Sequence, residues 1–155
     1  MSVAGRYVAV VGPAGTARGS DLVHAEGVGR RLALAGAVVL TGGHHGVMRA
    51  AAAGATGAGG VAIGLLPGLD RAAGAVEHTY LLPTGLGELR NGLLVRAADA
   101  VVAVGCSWGT LSEIALARRT GVPLVLLDPW ELPEDVGTVV ADAAAAIEAL
   151  AELLP

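Results

Sequence analysis

Short, unbroken apolar runs, separated by longer stretches of helical pattern, constrain this chain more than any other feature. Residues 7–11, 100–104 and 124–127 read YVAVV, AVVAV and LVLL, with no charged residue at any position. A strand with one wet face alternates apolar and polar residues. A strand that is apolar throughout is buried on both faces, as when helices cover both sides of a parallel sheet. Further strands are expected at 37–40, 60–65 and 79–82, and a loop at 68–78. Helices are expected at about 20–34, 44–55, 86–97, 110–120 and 136–153. Ser20 or Asp21 is the expected cap of the first helix and Gly36 its stop. The implied fold is α/β: one domain spanning residues 1–155, built as a three-layer, Rossmann-like parallel sheet of six or seven strands with helices on both faces.

Composition narrows the function. A chain of 155 residues that is 54% hydrophobic and 15% charged can bury a sizeable core and is not disordered. With 24 glycines and 3% aromatics, its core is Ala/Val/Leu packing with close backbone approaches. The net charge of −4 and the absence of any basic run argue against nucleic acid as a partner. No apolar stretch approaches the ~18 residues of a membrane helix, so no membrane partner is expected. A single cysteine excludes an internal disulfide. The expectation is a cytoplasmic protein with no resident cofactor.

Ligands of open parallel sheets sit beyond the carboxyl ends of the strands. Three such ends are rich in small residues. The first carries Gly12, Gly15 and Thr16; the second Gly42, Gly43, Gly46 and Met48; the third Gly105, Ser107, Trp108, Gly109 and Thr110. One glycine-rich loop marks only a tight turn, but three at one end favour a nucleotide-sized ligand with an anion at a helix N-terminus. None is a P-loop, and all ten basic residues are arginine, which argues against kinase-like handling of a triphosphate. Glu113, in the first turn of the helix after the third loop, is either a helix-end carboxylate or part of the site.

In order along the chain, Thr41-Gly42-Gly43-His44-His45-Gly46-Val47-Met48 and the segment GCSWGTLSE at 105–113 resemble two motifs of the Lonely Guy family. The resemblance runs to about Leu127. It implies a Rossmann-like fold, and a phosphoribohydrolase that releases the free base from nucleoside 5′-monophosphates, the cytokinin-activating reaction. It also implies catalytic roles for Arg90 and Glu113. The wording TGLGELRN at 84–91 is nearer to a branch of the family that includes a molybdenum-cofactor carrier. The chain departs from the enzyme pattern in having Asn91 for lysine, Cys106-Ser107 for Gly-Gly, Gly105 for proline and Arg49 for glycine.

Two functions follow from these residues. As an enzyme, Glu113 would stabilise oxocarbenium charge on the sugar and Arg90 would neutralise phosphate or assist the leaving base. Asn91 and the three loops would then hold phosphate and ribose. As a carrier, the same loops would bind a nucleotide or a phosphorylated pterin such as molybdenum cofactor without catalysis. The retained Glu113 and Arg90 favour the enzyme. Arg18 is a further phosphate candidate. Trp108 either stacks on a base or covers the sheet end, and Trp130 is expected to pack the last helix. Arg96 is expected to pair with Asp99 or to meet another subunit. No metal site is expected at the adjacent His44 and His45, and Cys106 reads as an inert small residue. Apolar helices at 47–58 and 86–97 imply a homodimer or dimer-based tetramer, with the Arg90 helix near the partner.

Overall fold

The structure, a computed structural model, describes residues 2–155. Among them, seven strands form one parallel sheet in the order β4-β3-β2-β1-β5-β6-β7. These are β1 Tyr7–Val11, β2 Val38–Thr41, β3 Ala62–Leu66, β4 Tyr80–Pro83, β5 Ala100–Val104, β6 Leu124–Leu127 and β7 Thr138–Val140. Every neighbouring pair is parallel, with Val8 opposite both Val39 and Ala100 in the centre. The helices are α1 Gly19–Leu34, α2 Val47–Gly57, α3 Leu89–Ala97, α4 Trp108–Thr120 and α5 Ala143–Leu153.

The pleat splits the central strands between two cores. Val8, Val10, Val102, Val104 and Leu127 pack with α1, α2 and α5. Ala9, Val11, Val101, Ala103 and Leu126 pack with α3 and α4 through Leu94, Val95, Ile114 and Ala117. This is why those runs lack a polar register. The Ala/Gly-rich helices also meet closely. A Cβ on Gly29 of α1 would lie 2.0 Å from the Ala51 carbonyl oxygen of α2, and one on Gly54 would lie 2.1 Å from that of Glu26. Backbone therefore packs on backbone, and α2 is covered by α1 instead of exposing a broad apolar face.

Several boundaries differ from the sequence pattern. Residues 136–140 are not helical: Thr138–Val140 form β7 beside β6, and α5 begins only after Asp142, whose carboxylate accepts the Ala145 N–H. Two adjacent β-branched valines favour the added strand over a first helical turn. His44 and His45 lie in the loop before α2, which starts at Val47. The loop at 68–78 contains a 3₁₀ turn over Arg71–Ala73, capped by Asp70. α1 is not capped by Ser20 or Asp21. Its cap position is Arg18, and Asp21 reaches back from the first turn to accept the Arg18 N–H at 2.9 Å. α1 does stop at Gly36, which has φ +83°.

Candidate functional site

Sheet order reverses between β1 and β5, and the glycine-rich loops after β1, β2 and β5 all lie at that end of the sheet. The β5–α4 loop is shaped by Asp21. Gly105 has φ +68°, and a Cβ on it would sit 2.9 Å from the Asp21 carboxylate, so any larger residue would displace the buried acid. Ser107 then caps α4: its Oγ accepts the Thr110 N–H at 3.2 Å and lies 2.9 Å from Thr110 Oγ1. The first-turn N–H groups at Trp108 and Gly109 precede any intrahelical acceptor and carry the positive end of the helix dipole.

A buried relay fixes the loop after β2. The Ala75 carbonyl can only accept, so His78 Nδ1–H donates to it at 2.9 Å and the ring's Nε2 is an acceptor. Thr41 O–H donates to that Nε2 at 2.5 Å, and the Gly43 N–H donates to Thr41 Oγ1 at 2.9 Å. Burial lowers the His78 pKa, which keeps the ring neutral and the relay intact.

Arg90 ties this loop to the helices. Its Nη1 donates to the Gly42 carbonyl and, at 2.7 Å, to the Leu65 carbonyl; its Nε donates to Asn91 Oδ1 at 3.2 Å. Asn91 Nδ2 continues to Ser112 Oγ at 3.1 Å, and Ser112 donates to the Gly109 carbonyl at 2.6 Å. One hydrogen-bonded chain thus runs from the ends of β2 and β3 to the first turn of α4. A Cβ on Gly42 would lie 2.6 Å from Arg90 Nη1 and 2.8 Å from Met48 Sδ, so glycine is what lets the guanidinium reach the backbone.

These groups enclose a cavity of about 190 Å³. Gly12, Gly42, Met48, Arg90, Asn91, Ser107, Gly109, Thr110 and Glu113 line it, joined by Val11 and Ala14, which the sequence reading did not single out. Glu113 is only 9% exposed, yet among the described residues its carboxyl makes no hydrogen bond or ion pair. Burial pushes its pKa up to about 7, with Arg90 pulling the other way. Burial also lowers the pKa of Arg90. The cavity therefore holds a near-neutral acid beside a cation committed to backbone carbonyls.

A second cavity, of about 470 Å³, shares Ser107 with the first and is lined by Thr16, Arg18, Asp21, Cys106, Trp108, Asp128, Pro129 and Trp130. Arg18 is held there by Asp21, with Nη2 2.9 Å from Oδ1. Trp130, expected to pack the last helix, lines this cavity. It meets Trp108 edge-on, with ring centroids 5.0 Å apart at 77°. The sequence marks Asp21 only as a possible helix cap, and gives Asp128 and Pro129 no site signal, because the contact between the β1–α1 and β6 loops exists only in the fold. The Cys106 thiol pKa is raised by burial, as fits an unreactive side chain.

The remaining sequence candidates lie outside both cavities. Gly15 stands in open space in the β1–α1 loop. Gly43 and Gly46 take positive φ of 83° and 66° to make the β2–α2 turn. Among the described residues Arg96 forms no ion pair, and the Asp99 carboxylate instead accepts the Tyr7 N–H at 2.7 Å. No helix among them is long and apolar enough to cross a membrane.

Residues 5–152 match the sequence profile of the SLOG cluster4 family. The structure is similar to that of the molybdenum cofactor binding protein from the phototrophic bacterium Rippkaea orientalis, with 34% identity, 96% of each chain covered and a TM-score of 0.91. It is also similar to the molybdenum cofactor carrier protein of Chlamydomonas reinhardtii, with 35% identity over 96% of this chain and 97% of that one, and a TM-score of 0.87. An uncharacterized protein of Archaeoglobus fulgidus is 36% identical over 102 residues, 66% of this chain and 67% of its own length.

Proposed function

This chain belongs to the SLOG cluster4 family, and from that premise we propose that it binds and carries a phosphorylated pterin of the molybdenum-cofactor type. The observation that carries this reading is the commitment of Arg90. Its Nη1 and Nε are spent on Gly42, Leu65 and Asn91, which holds the guanidinium as a brace and leaves only Nη2 to meet a ligand. Likeness over 96% of the chain to a binding protein and a carrier of that cofactor supports it.

In this reading the ligand phosphate takes the first-turn N–H groups of α4, beside Ser107 and Thr110 and over Gly12. Protonated Glu113 donates to an anionic oxygen, which offsets the lack of lysine. The molybdenum-bearing end of the cargo supplies redox chemistry only to the enzyme that receives it. The test mixes the protein with cofactor released from a molybdoenzyme, separates bound from free on a sizing column, and assays pterin in the protein peak. Near-stoichiometric retention is expected. Absence of pterin from that peak would overturn the carrier reading.

The hydrolase reading rests on one observation, a Glu113 pKa of about 7, which suits a general acid. Release of free base from nucleoside monophosphates, abolished by Glu113→Gln, would establish it in place of the carrier.

We further propose a dimer-based assembly with α3 at the partner. Leu89 is 75% exposed, and Leu86 and Leu93 beside it are also exposed. Such an apolar strip next to the site is normally covered. Light scattering should give a multiple of 15.3 kDa, reduced by Leu89→Glu. A 15.3 kDa species at micromolar concentration would refute it.

A further inference from the structure

The end of β6 carries a residue whose backbone and side chain both call for explanation. Asp128 is, among the described residues, the one non-glycine with positive φ, at 47°. That region costs a side-chain-bearing residue roughly 1–2 kcal/mol, and a glycine would make the same turn without strain. The aspartate side chain is half exposed in the cavity of about 470 Å³, with Oδ2 3.6 Å from His24 Nε2. Trp108, 79% exposed, lines the same space, steadied edge-on by Trp130. A tryptophan ring left in water at a cavity wall is a ready stacking surface. Because Ser107 lines both cavities, a ligand anchored at the α4 N-terminus can extend into this one.

We infer that this outer cavity is a heterocycle subsite in which Asp128 reads the 2-amino-4-oxopyrimidine edge shared by pterins and guanine, with Trp108 as the stacking face. The inference rests on the proposed reading that the inner cavity takes the ligand's phosphate. The edge presents a ring N–H beside an exocyclic NH₂, two parallel donors that match the two oxygens of one carboxylate. Adenine would set its ring acceptor against the carboxylate, and hypoxanthine lacks the amino group. The inner cavity, about 190 Å³, is small for a bicyclic ring together with its phosphate, and the adjoining cavity of about 470 Å³ adds the room for the ring.

Quenching of tryptophan fluorescence measures this directly, with GMP, guanosine, IMP, AMP, XMP and a 6-substituted pterin monophosphate as probes. GMP and the pterin phosphate should bind about tenfold or more tighter than IMP and AMP, the usual worth of one bidentate pair. Asp128→Asn keeps both the shape and the left-handed backbone, since asparagine tolerates it equally. It should weaken GMP and pterin phosphate about tenfold and strengthen XMP, whose 2-oxo group accepts from the new amide. Relative affinity of GMP and the pterin phosphate tells which ring the subsite is built for. Equal binding of GMP, IMP and AMP, or an unchanged order in the variant, overturns the inference. If guanosine binds as tightly as GMP while both exceed AMP, the subsite stands and the phosphate placement in the inner cavity fails.

Discussion

Glu113→Gln should make the folded chain more stable above neutral pH and flatten its pH dependence. The carboxyl titrates near 4.5 when unfolded and at about 7 when folded. Below pH 4.5 both states are protonated and Glu113 costs nothing on this account. Between those values the folded state holds the extra proton, so stability falls as pH rises and levels off only above about 7. The full difference is about 3 kcal/mol at 1.36 kcal/mol per pH unit. For a domain of this size that amounts to a Tm higher by roughly 5–10 °C in the variant at pH 8, with near equality at pH 4.5. A wild type and variant that differ by the same amount at every pH would remove the case for a buried, titrating Glu113. The same proton couples to binding. An anion seated beside Glu113 should take up as much as about three quarters of a proton per ligand at pH 7.5, read as a dependence of calorimetric heat on buffer ionisation. That dependence should vanish in Glu113→Gln.

Arg90→Lys should behave as a severe change despite keeping the charge. The guanidinium spans the Gly42 and Leu65 carbonyls from one nitrogen while its Nε holds Asn91, a planar arrangement that an ammonium cannot copy. Gly42 and Leu65 are buried, so the carbonyl left unpaired keeps its desolvation penalty. The expected loss is about 2–3 kcal/mol in Arg90→Lys, and more in Arg90→Leu, where both carbonyls lose a charged donor. Arg90→Leu also removes the cation that favours ionised Glu113, so the acid should titrate above 7 and the pH window of instability should move up with it. Denaturant titrations across pH check both effects. Wild-type stability in Arg90→Lys would mean that the brace is not formed in solution.

Much of the architecture was legible because burial on both faces of a sheet leaves a local mark. The runs at β1, β5 and β6 have no polar register, and glycines cluster where the backbone must turn or approach a neighbour. The same reasoning placed the loops after β1, β2 and β5 at one end of a parallel sheet. It missed β7, since a three-residue strand inside a polar segment has too short a pattern to read. It also missed Asp21 as the acid under Gly105, the Thr41–His78 relay, and the meeting of Trp108 with Trp130. Each depends on residues far apart in the chain, such as the 37 positions between Thr41 and His78.

The sequence by itself determined the layered α/β fold and the end of the sheet where a ligand can bind, because hydrophobic burial and backbone conformation act through neighbouring residues. Tertiary structure alone decided that Arg90 is a brace and that Glu113 is, among the described residues, an unpaired acid near neutrality. Hydrogen-bond partners and desolvation are set by what the fold brings within a few ångströms, and spacing along the chain carries no record of that.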